Sequence, residues 1–199
     1  VTHVVPRAPP LPPGPKPAFR EVMFNPSLLR LNLGIFTLHA VQMAMFVVIP
    51  GLLVRHGDMP VASHWKIYLP AVLASFVVMG GTLFPLEKRG YLRAVFLGAI
   101  GLIGLVQLGL LWVASAGPSI AMLAFLLFVF FCGFNVLEAS QPSLASRVAP
   151  AHARGAALGV YNTLQSLGFF VGGAVGGWLI KNTGLHGLFV ACSVGMVLW

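Results

Sequence analysis

The feature that most constrains the fold is a set of long stretches without a charged side chain. No Asp, Glu, Lys or Arg occurs in Leu31–Val54, Ile67–Leu86, Ala94–Leu137, Gly155–Ile180 or Asn182–Trp199. A helix needs about 20 apolar residues to cross the hydrocarbon core, and backbone groups in lipid must bond internally. Only 8% of the chain is charged, against about 25% in a soluble domain. The chain is therefore predicted to be an all-α polytopic membrane protein.

These stretches predict six transmembrane helices rather than five. Ala94–Leu137 is long enough for two spans, and the turn-forming residues Ser115–Pro118 divide it. The predicted helices cover about 31–54, 67–86, 94–114, 119–137, 156–180 and 185–199.

The net charge of +8 indicates the orientation of the helices in the membrane and does not indicate a nucleic-acid surface. With the N-terminus in the cytoplasm, nine basic residues fall on the cytoplasmic side: Arg7, Lys16, Arg20, Arg30, Lys88, Arg89, Arg93, Arg147 and Arg154. Three fall on the other side: Arg55, Lys66 and Lys181. This asymmetry follows the positive-inside rule. It predicts a multi-pass protein of a plasma membrane and no nucleic-acid partner.

The ends of the chain suggest a piece of a longer protein. Residues 1–27 are predicted to be a proline-rich cytoplasmic linker, beginning "VTHVVPRAPPLPPGPKPA", and residues 28–199 a six-helix domain whose last helix is cut short. We expect the full gene to encode another six-helix block before Val1. A free-standing six-helix protein is the alternative that composition leaves open.

The short loop after the second helix carries a motif. Glu87, Lys88, Arg89 and Gly90 have the order acid, base, any residue, glycine, in which Gly90 permits a tight turn. This loop resembles the D-R-x-G core of the loop motif of the major facilitator superfamily, in its weaker second-half copy. It departs from that motif after Gly90, where Tyr91 and Leu92 replace the usual basic pair.

A longer resemblance covers nearly the whole chain. "LNLGIFTLHAVQMAMFVVIP" and "NVLEASQPSLASRVAPAHARGAALGVYNTLQSLGFFVGGAVGGWL" are similar to the C-terminal half of the YajR-like branch of that superfamily. The resemblance implies a twelve-helix fold of two six-helix halves in a bacterial inner membrane. It also implies alternating access around a central site, with the missing N-terminal half as the partner of this chain.

Polar side chains on two helices are the candidates for a substrate cavity. Asn32, His39, Gln42 and Met43 share one face of the first helix, and Tyr161 and Gln165 share one face of the fifth. Polar groups at membrane depth are costly, so such faces meet a cavity or another helix. The alternative for His39 is a simple hydrogen bond to a neighbouring helix.

His39 and Glu138 are the candidates for proton coupling. A histidine titrates near neutral pH. Glu138 lies at the predicted cytoplasmic end of the fourth helix, whereas Glu21, Asp58 and Glu87 lie in predicted loops. The alternative is an interfacial Glu138 that pairs with Arg147 or Arg154. The coupling acid could equally lie in the other half.

Regularly spaced glycines mark the fifth helix. Gly168, Gly172 and Gly176 form overlapping Gly-x-x-x-Gly pairs, and Gly173 and Gly177 widen the flat surface. We expect this surface to be a sliding or pivoting contact with a helix of the missing half. Static packing within this chain is the alternative.

The resemblance to the superfamily implies secondary active transport, and with these polar residues we expect proton-coupled export of a small organic solute. The alternative is a non-transporting six-helix scaffold or assembly subunit. The motifs His-Glu-x-x-His, Cys-x-x-Cys and the phosphate loop do not occur, and the six histidines are scattered. We therefore expect no enzymatic activity, cofactor or metal site.

Overall fold

The structure, a computed structural model, describes residues 19–199, so most of the predicted linker lies outside the described residues. In chain order the helices are α1 Phe19–Met23, α2 Pro26–Gly57, α3 Trp65–Lys88, α4 Leu92–Ala116, α5 Ile120–Val148 and α6 Arg154–Leu198. Two short 3-10 turns, Val61–Ser63 and Ala151–Ala153, precede α3 and α6.

Helix α2 begins at Pro26, two residues before the predicted domain boundary. Asn25 caps it, because the Asn25 side chain accepts hydrogen bonds from Ser27 N at 3.0 Å and Leu28 N at 3.2 Å. The short α1 before it is anchored by Val22, which is fully buried in a small cluster with Leu28 and Ala157. The chain is thus packed against the bundle from α1 onward.

Five helical segments in the described residues are long and apolar enough to cross a membrane: α2, Val61–Lys88, α4, α5 and Ala151–Leu198. More than half of the most apolar window is buried in α2 and α5, at 56% each, but only 22% and 28% in the segments of α3 and α4. Large apolar side chains such as Leu73, Val77 and Leu105 are exposed on α3 and α4. Helices α2 and α5 therefore form the centre of the bundle, and α3 and α4 present apolar faces outward.

Helix α5 is longer than predicted. It continues through Pro142 to Val148, so the predicted end at 137 is wrong. The helix continues because its last turns pack inward: Gln141 is fully buried and Ala145 is 1% exposed. Pro142 has no N–H, so the main-chain carbonyl of Glu138 loses its helical donor without breaking the helix.

Helix α6 is two helical arms separated at Gly184. Gly184 has non-helical angles, φ 70° and ψ −168°, within the run Arg154–Leu198, at the position where the sequence predicted a break between two spans. The first arm, 154–183, lies parallel to α2, because Gly168 meets Phe36 and Gly176 meets Ala44. The second arm, 185–198, runs the opposite way, because Gly195 lies near Val41 and Trp199 meets Gly34. The chain therefore reverses direction at Gly184.

The glycine surface of the first arm packs on α2 of the same chain. A methyl group placed on Gly168 would lie 2.5 Å from Phe36 O, and one on Gly176 2.9 Å from Ala44 Cα. A methyl group on Gly172 would overlap the Ala40 backbone. The expectation that these three glycines meet a helix outside this chain is therefore wrong, because the close backbone approach they permit is already used here. Gly173 and Gly177 differ, since no atom of the described residues lies within 4 Å of a methyl group added to either.

The basic helix ends lie together at one end of the bundle. Leu28 of α2 packs with Ala149 and Ala157, beside the end of α5 and the start of α6. The Arg147 guanidinium donates to Glu87 Oε1 at 3.0 Å and thereby places the end of α3 beside the end of α5. Arg30, Lys88, Arg89, Arg93, Arg147 and Arg154 belong to these ends, whereas Arg55, Lys66 and Lys181 belong to the opposite ends.

The contrast between neighbouring glycines gives the first prediction. Gly172→Ala should destabilise the full-length protein, because overpacking against rigid backbone costs about 1–3 kcal/mol. Gly173→Ala should leave stability unchanged or raise it, because alanine favours a helix over glycine by about 1 kcal/mol. Thermal unfolding of the two purified variants in detergent measures the difference. Equal midpoints for both variants would contradict the α2–α6 contact.

Candidate functional site

The site is built where three helices meet around one histidine. His39 of α2 is 1% exposed, and its ring lies edge-on to Phe134 of α5 and Phe169 of α6, with ring centroids 5.6 and 4.5 Å away. His39 Nδ1 lies 3.0 Å from Ile35 O. A carbonyl oxygen can only accept, so Nδ1 carries a hydrogen, and in the neutral ring Nε2 is then an acceptor.

Gln165 and Glu138 complete the cluster. The Gln165 Nε2 amide lies 3.0 Å from His39 Nε2 and donates to Glu138 Oε1 at 3.0 Å. The other carboxylate oxygen, Glu138 Oε2, lies 3.4 Å from His39 Nε2. We refer to His39, Glu138 and Gln165 as the polar triad.

The polar triad lies deep in the bundle. His39 is thirteen residues from the start of α2, Glu138 ten from the end of α5 and Gln165 eleven from the start of α6. At 1.5 Å per residue, the three residues lie about 15–20 Å from the basic end of the bundle. Glu138 is therefore an interior residue of α5 and not the interfacial residue that the shorter predicted helix implied.

Glu138 does not pair with either arginine considered for it. Arg147 pairs with Glu87 instead, and within residues 19–199 the basic partner that contacts Glu138 is His39. The alternative of an interfacial ion pair with Arg147 or Arg154 is therefore wrong, because the extension of α5 carries Arg147 about two and a half turns beyond Glu138.

The six cavity candidates differ in exposure. Asn32, His39 and Tyr161 are buried, at 4%, 1% and 1% exposed, whereas Gln42, Met43 and Gln165 are half-buried. The Glu138 side chain is 35% exposed. A solute at this surface can thus touch Gln42, Met43, Gln165 and Glu138 directly, and it reaches His39 through the other two members of the polar triad.

Several buried polar atoms of this region have no hydrogen-bond partner in the described part of the protein. They are Gln42 Oε1, Glu138 Oε2, Tyr161 Oη and both side-chain polar atoms of Gln141. Gln141 follows Glu138 by one turn on α5, and Tyr161 precedes Gln165 by one turn on α6, so both lie on the basic-end side of the polar triad. Unpaired buried polar atoms are expensive, and these atoms can bind water or a solute.

Sequence reasoning missed Gln141 because the predicted helix ended before it. It also missed Phe134 and Phe169, because aromatic residues in an apolar helix carry no signal of which ones meet a histidine. Asn135 donates to Ser75 Oγ at 2.7 Å and thereby joins α5 to α3.

The loop motif has a structural role at the basic end. Glu87 and Lys88 end α3, and Gly90 has φ 85° and makes the turn into α4. The Glu87 carboxylate accepts a hydrogen bond from Arg147.

No group of three His, Cys, Asp or Glu side chains that could hold a metal ion occurs in the region the structure describes.

The chain is similar to known membrane transporters along nearly its whole length. The family model of the Major Facilitator Superfamily matches residues 2–173 and 86–199. The chain is 37% identical over 184 residues to the inner membrane transport protein YajR of Escherichia coli, covering 92% of this chain and 40% of that protein. It is 32% identical over 150 residues to an uncharacterised transporter of Buchnera aphidicola, covering 75% of this chain and 37% of the relative.

The chain thus spans about two fifths of the length of these curated relatives. Its apolar helices and its bacterial relatives make it a multi-pass bacterial membrane protein. The family match, over nearly every residue, and the similarity to YajR lead to one conclusion: this chain belongs to the major facilitator superfamily and is YajR-like.

Proposed function

We propose that this chain is the C-terminal six-helix half of a secondary active transporter, which couples the export of a small organic solute to proton entry by alternating access. The observation that carries this proposal is the polar triad, which joins α2, α5 and the first arm of α6 about 15–20 Å from the basic end of the bundle. The family match supports a membrane transporter, and its relatives are named as transporters, which disfavours a scaffold without transport.

Glu138 is energetically costly at this depth in the bundle. Insertion of an acidic side chain at the centre of a membrane helix costs about 3 kcal/mol. Glu138 contacts His39 and Gln165 and no Lys or Arg within residues 19–199, and keeping such a carboxylate favours a functional role. The pair carries one negative charge when His39 is neutral and none when His39 gains a proton. A proton crossing 100 mV releases about 2.3 kcal/mol, which supports a solute gradient of about 50-fold.

The proposed orientation places the basic end in the cytoplasm, with the second arm of α6 as the sixth span. The positive-inside rule supports it, because the basic residues of the described ends gather at one end. The proposed substrate is a weakly polar or amphipathic organic solute, because the half-buried side chains near Glu138, which are Gln42, Met43 and Gln165, are uncharged. The N-terminal half, the proposed partner, would close the cavity from the other side.

The coupling role gives the second prediction. In the full-length protein, Glu138→Gln and His39→Gln should abolish transport that depends on the proton gradient, because the first removes the carboxylate that pairs with a protonated His39 and the second removes the ring that takes up the proton. A growth assay against toxic compounds identifies a substrate, and its uptake by proteoliposomes with and without a proton uncoupler measures the effect. We expect a loss of at least tenfold in the uncoupler-sensitive rate.

Asp58→Asn is the matched control, an acid-to-amide change in the turn after α2. Asn tolerates the left-handed backbone of Asp58, φ 44°, so the rate should stay at the wild-type level. Uncoupler-sensitive transport by Glu138→Gln at the wild-type rate would refute the coupling role. A wild-type protein that moves no compound in any condition would refute transport itself.

The third prediction concerns access to the cavity. In a protein without other cysteines, Met43→Cys should react with a polar thiol reagent and be protected by substrate, because Met43 lies beside the proposed cavity. Leu69→Cys on α3 should resist the same reagent although Leu69 is 50% exposed, because that face meets lipid. Mass spectrometry of the labelled protein gives both extents. Equal labelling of the two positions would contradict the cavity assignment.

A further inference from the structure

Gln165 occupies an unusual position between α6 and the rest of the bundle. Its amide nitrogen has two hydrogens, and two acceptors on different helices lie within 3.0 Å, His39 Nε2 on α2 and Glu138 Oε1 on α5. Among residues 19–199, these are the side-chain hydrogen bonds that connect α6 to either helix. The α2–α6 contact also includes the close backbone approach across Gly168, Gly172 and Gly176 and the edge-on packing of the His39 and Phe169 rings; the glycine contacts contain no group that titrates.

The orientation of the Gln165 amide is set by the chemistry of its two neighbours. His39 Nδ1 donates to Ile35 O, so Nε2 of the neutral ring presents a lone pair, and an ionised Glu138 presents only acceptors. Turning the amide over would place its oxygen 3.0 Å from both acceptors. The observed arrangement is therefore the one that fits a neutral His39 beside an ionised Glu138.

A proton on His39 makes this arrangement impossible. The proton from solution takes the lone pair of Nε2, so the ring becomes a donor on both nitrogens and faces the Gln165 NH2 group, which is also a donor. The new N–H has an acceptor close by in Glu138 Oε2, which lies 3.4 Å away and has no hydrogen-bond partner in the described region. The His39–Glu138 pair becomes neutral overall, and the hydrogen bond from Gln165 to α2 breaks.

We propose that Gln165 is the positioning residue that makes the contact between α6 and α2 depend on the proton carried by His39. With His39 neutral, Gln165 ties the first arm of α6 to both α2 and α5. With His39 protonated, His39 binds Glu138 directly and the tie to α2 is released. This inference rests on the proposed function, because it describes how a proton at the transport site would move a helix.

The groups that face His39 are few in the described structure. Glu138 is the titratable group from α5, Tyr161 is the titratable group from α6 and lies one turn from Gln165, and the flanking Phe134 and Phe169 do not titrate. The pH response of the α2–α6 contact should therefore follow His39 and its partner Glu138.

The fourth prediction uses the distance between α2 and α6 in the full-length protein. Spin labels at Leu33→Cys and Leu167→Cys, both exposed here at 52% and 45%, are placed in a background with Cys132, Cys192 and any other cysteine replaced. Double electron–electron resonance at pH 8 and pH 5 should show a distance distribution that shifts or broadens by at least about 2 Å on acidification, a change of the size known for helix shifts.

Gln165→Met keeps the side-chain length but cannot donate, so it should show the acid-type distribution at both pH values. Gln165→Leu makes the same comparison if Gln165→Met does not fold. Ser166→Ala is the control, because the exposed Ser166 hydroxyl bonds only to Asn162 O of its own helix. It should respond to pH as the wild type does.

A pH response in the Gln165 variants equal to that of the wild type would overturn the inference, and so would a wild type that does not respond. Either result leaves the proposed function standing if Glu138→Gln still abolishes uncoupler-sensitive transport. A different result would refute the proposed function: the absence of uncoupler-sensitive transport by the wild-type protein.

Discussion

The close approach of α6 to α2 is the contact on which the site depends. Gly168, Gly172 and Gly176 bring the backbone of α6 onto Phe36, Ala40 and Ala44. Gln165 lies one turn before Gly168, so the same approach brings its amide within 3.0 Å of His39. A bulkier face would separate the helices and break that bond. In membranes, where lipid removes the hydrophobic drive between helices, such small-residue contacts and interhelical hydrogen bonds supply much of the association.

The glycine packing and the Gln165 hydrogen bond hold α6 against α2 in different ways. Packing across glycines has no preference between protonation states, whereas the Gln165 amide has a strong one. The glycine surface would therefore keep α2 and α6 in contact, and the protonation of the polar triad would set the position of one helix relative to the other. An added methyl group on Gly173 or Gly177 would meet no atom of residues 19–199 within 4 Å, so these two glycines remain available for the proposed N-terminal half.

Much of this could be predicted from the sequence, because long uncharged runs and helical spacing report directly on membrane burial. The all-helical fold, the positions of α2, α3 and α4 and the face shared by Tyr161 and Gln165 needed only that information. The sequence did not predict which helix the glycines of α6 contact, or the residue at which α5 ends. A glycine face can pack against the backbone of any helix, so it does not identify its partner. Pro142 and the polar residues after Glu138 are typical of a loop, but residues 138–148 stay helical because Gln141 and Ala145 are buried. Which side chains meet across helices depends on tertiary packing that a single sequence does not specify.

The protonation of His39 can be observed by solid-state NMR. In the full-length protein labelled with ¹⁵N in histidine and glutamine, the spectra report which ring nitrogen carries hydrogen and which glutamine nitrogen is near it; Gln165→Leu assigns the glutamine signal. At alkaline pH we predict a neutral His39 with hydrogen on Nδ1 and close proximity between its Nε2 and Gln165 Nε2. At acidic pH both ring nitrogens should be protonated, and the Gln165 amide should no longer lie beside the ring. A hydrogen on Nε2 at alkaline pH, or a Gln165 amide that stays beside the ring in acid, would contradict the proposed dependence of the α2–α6 contact on His39.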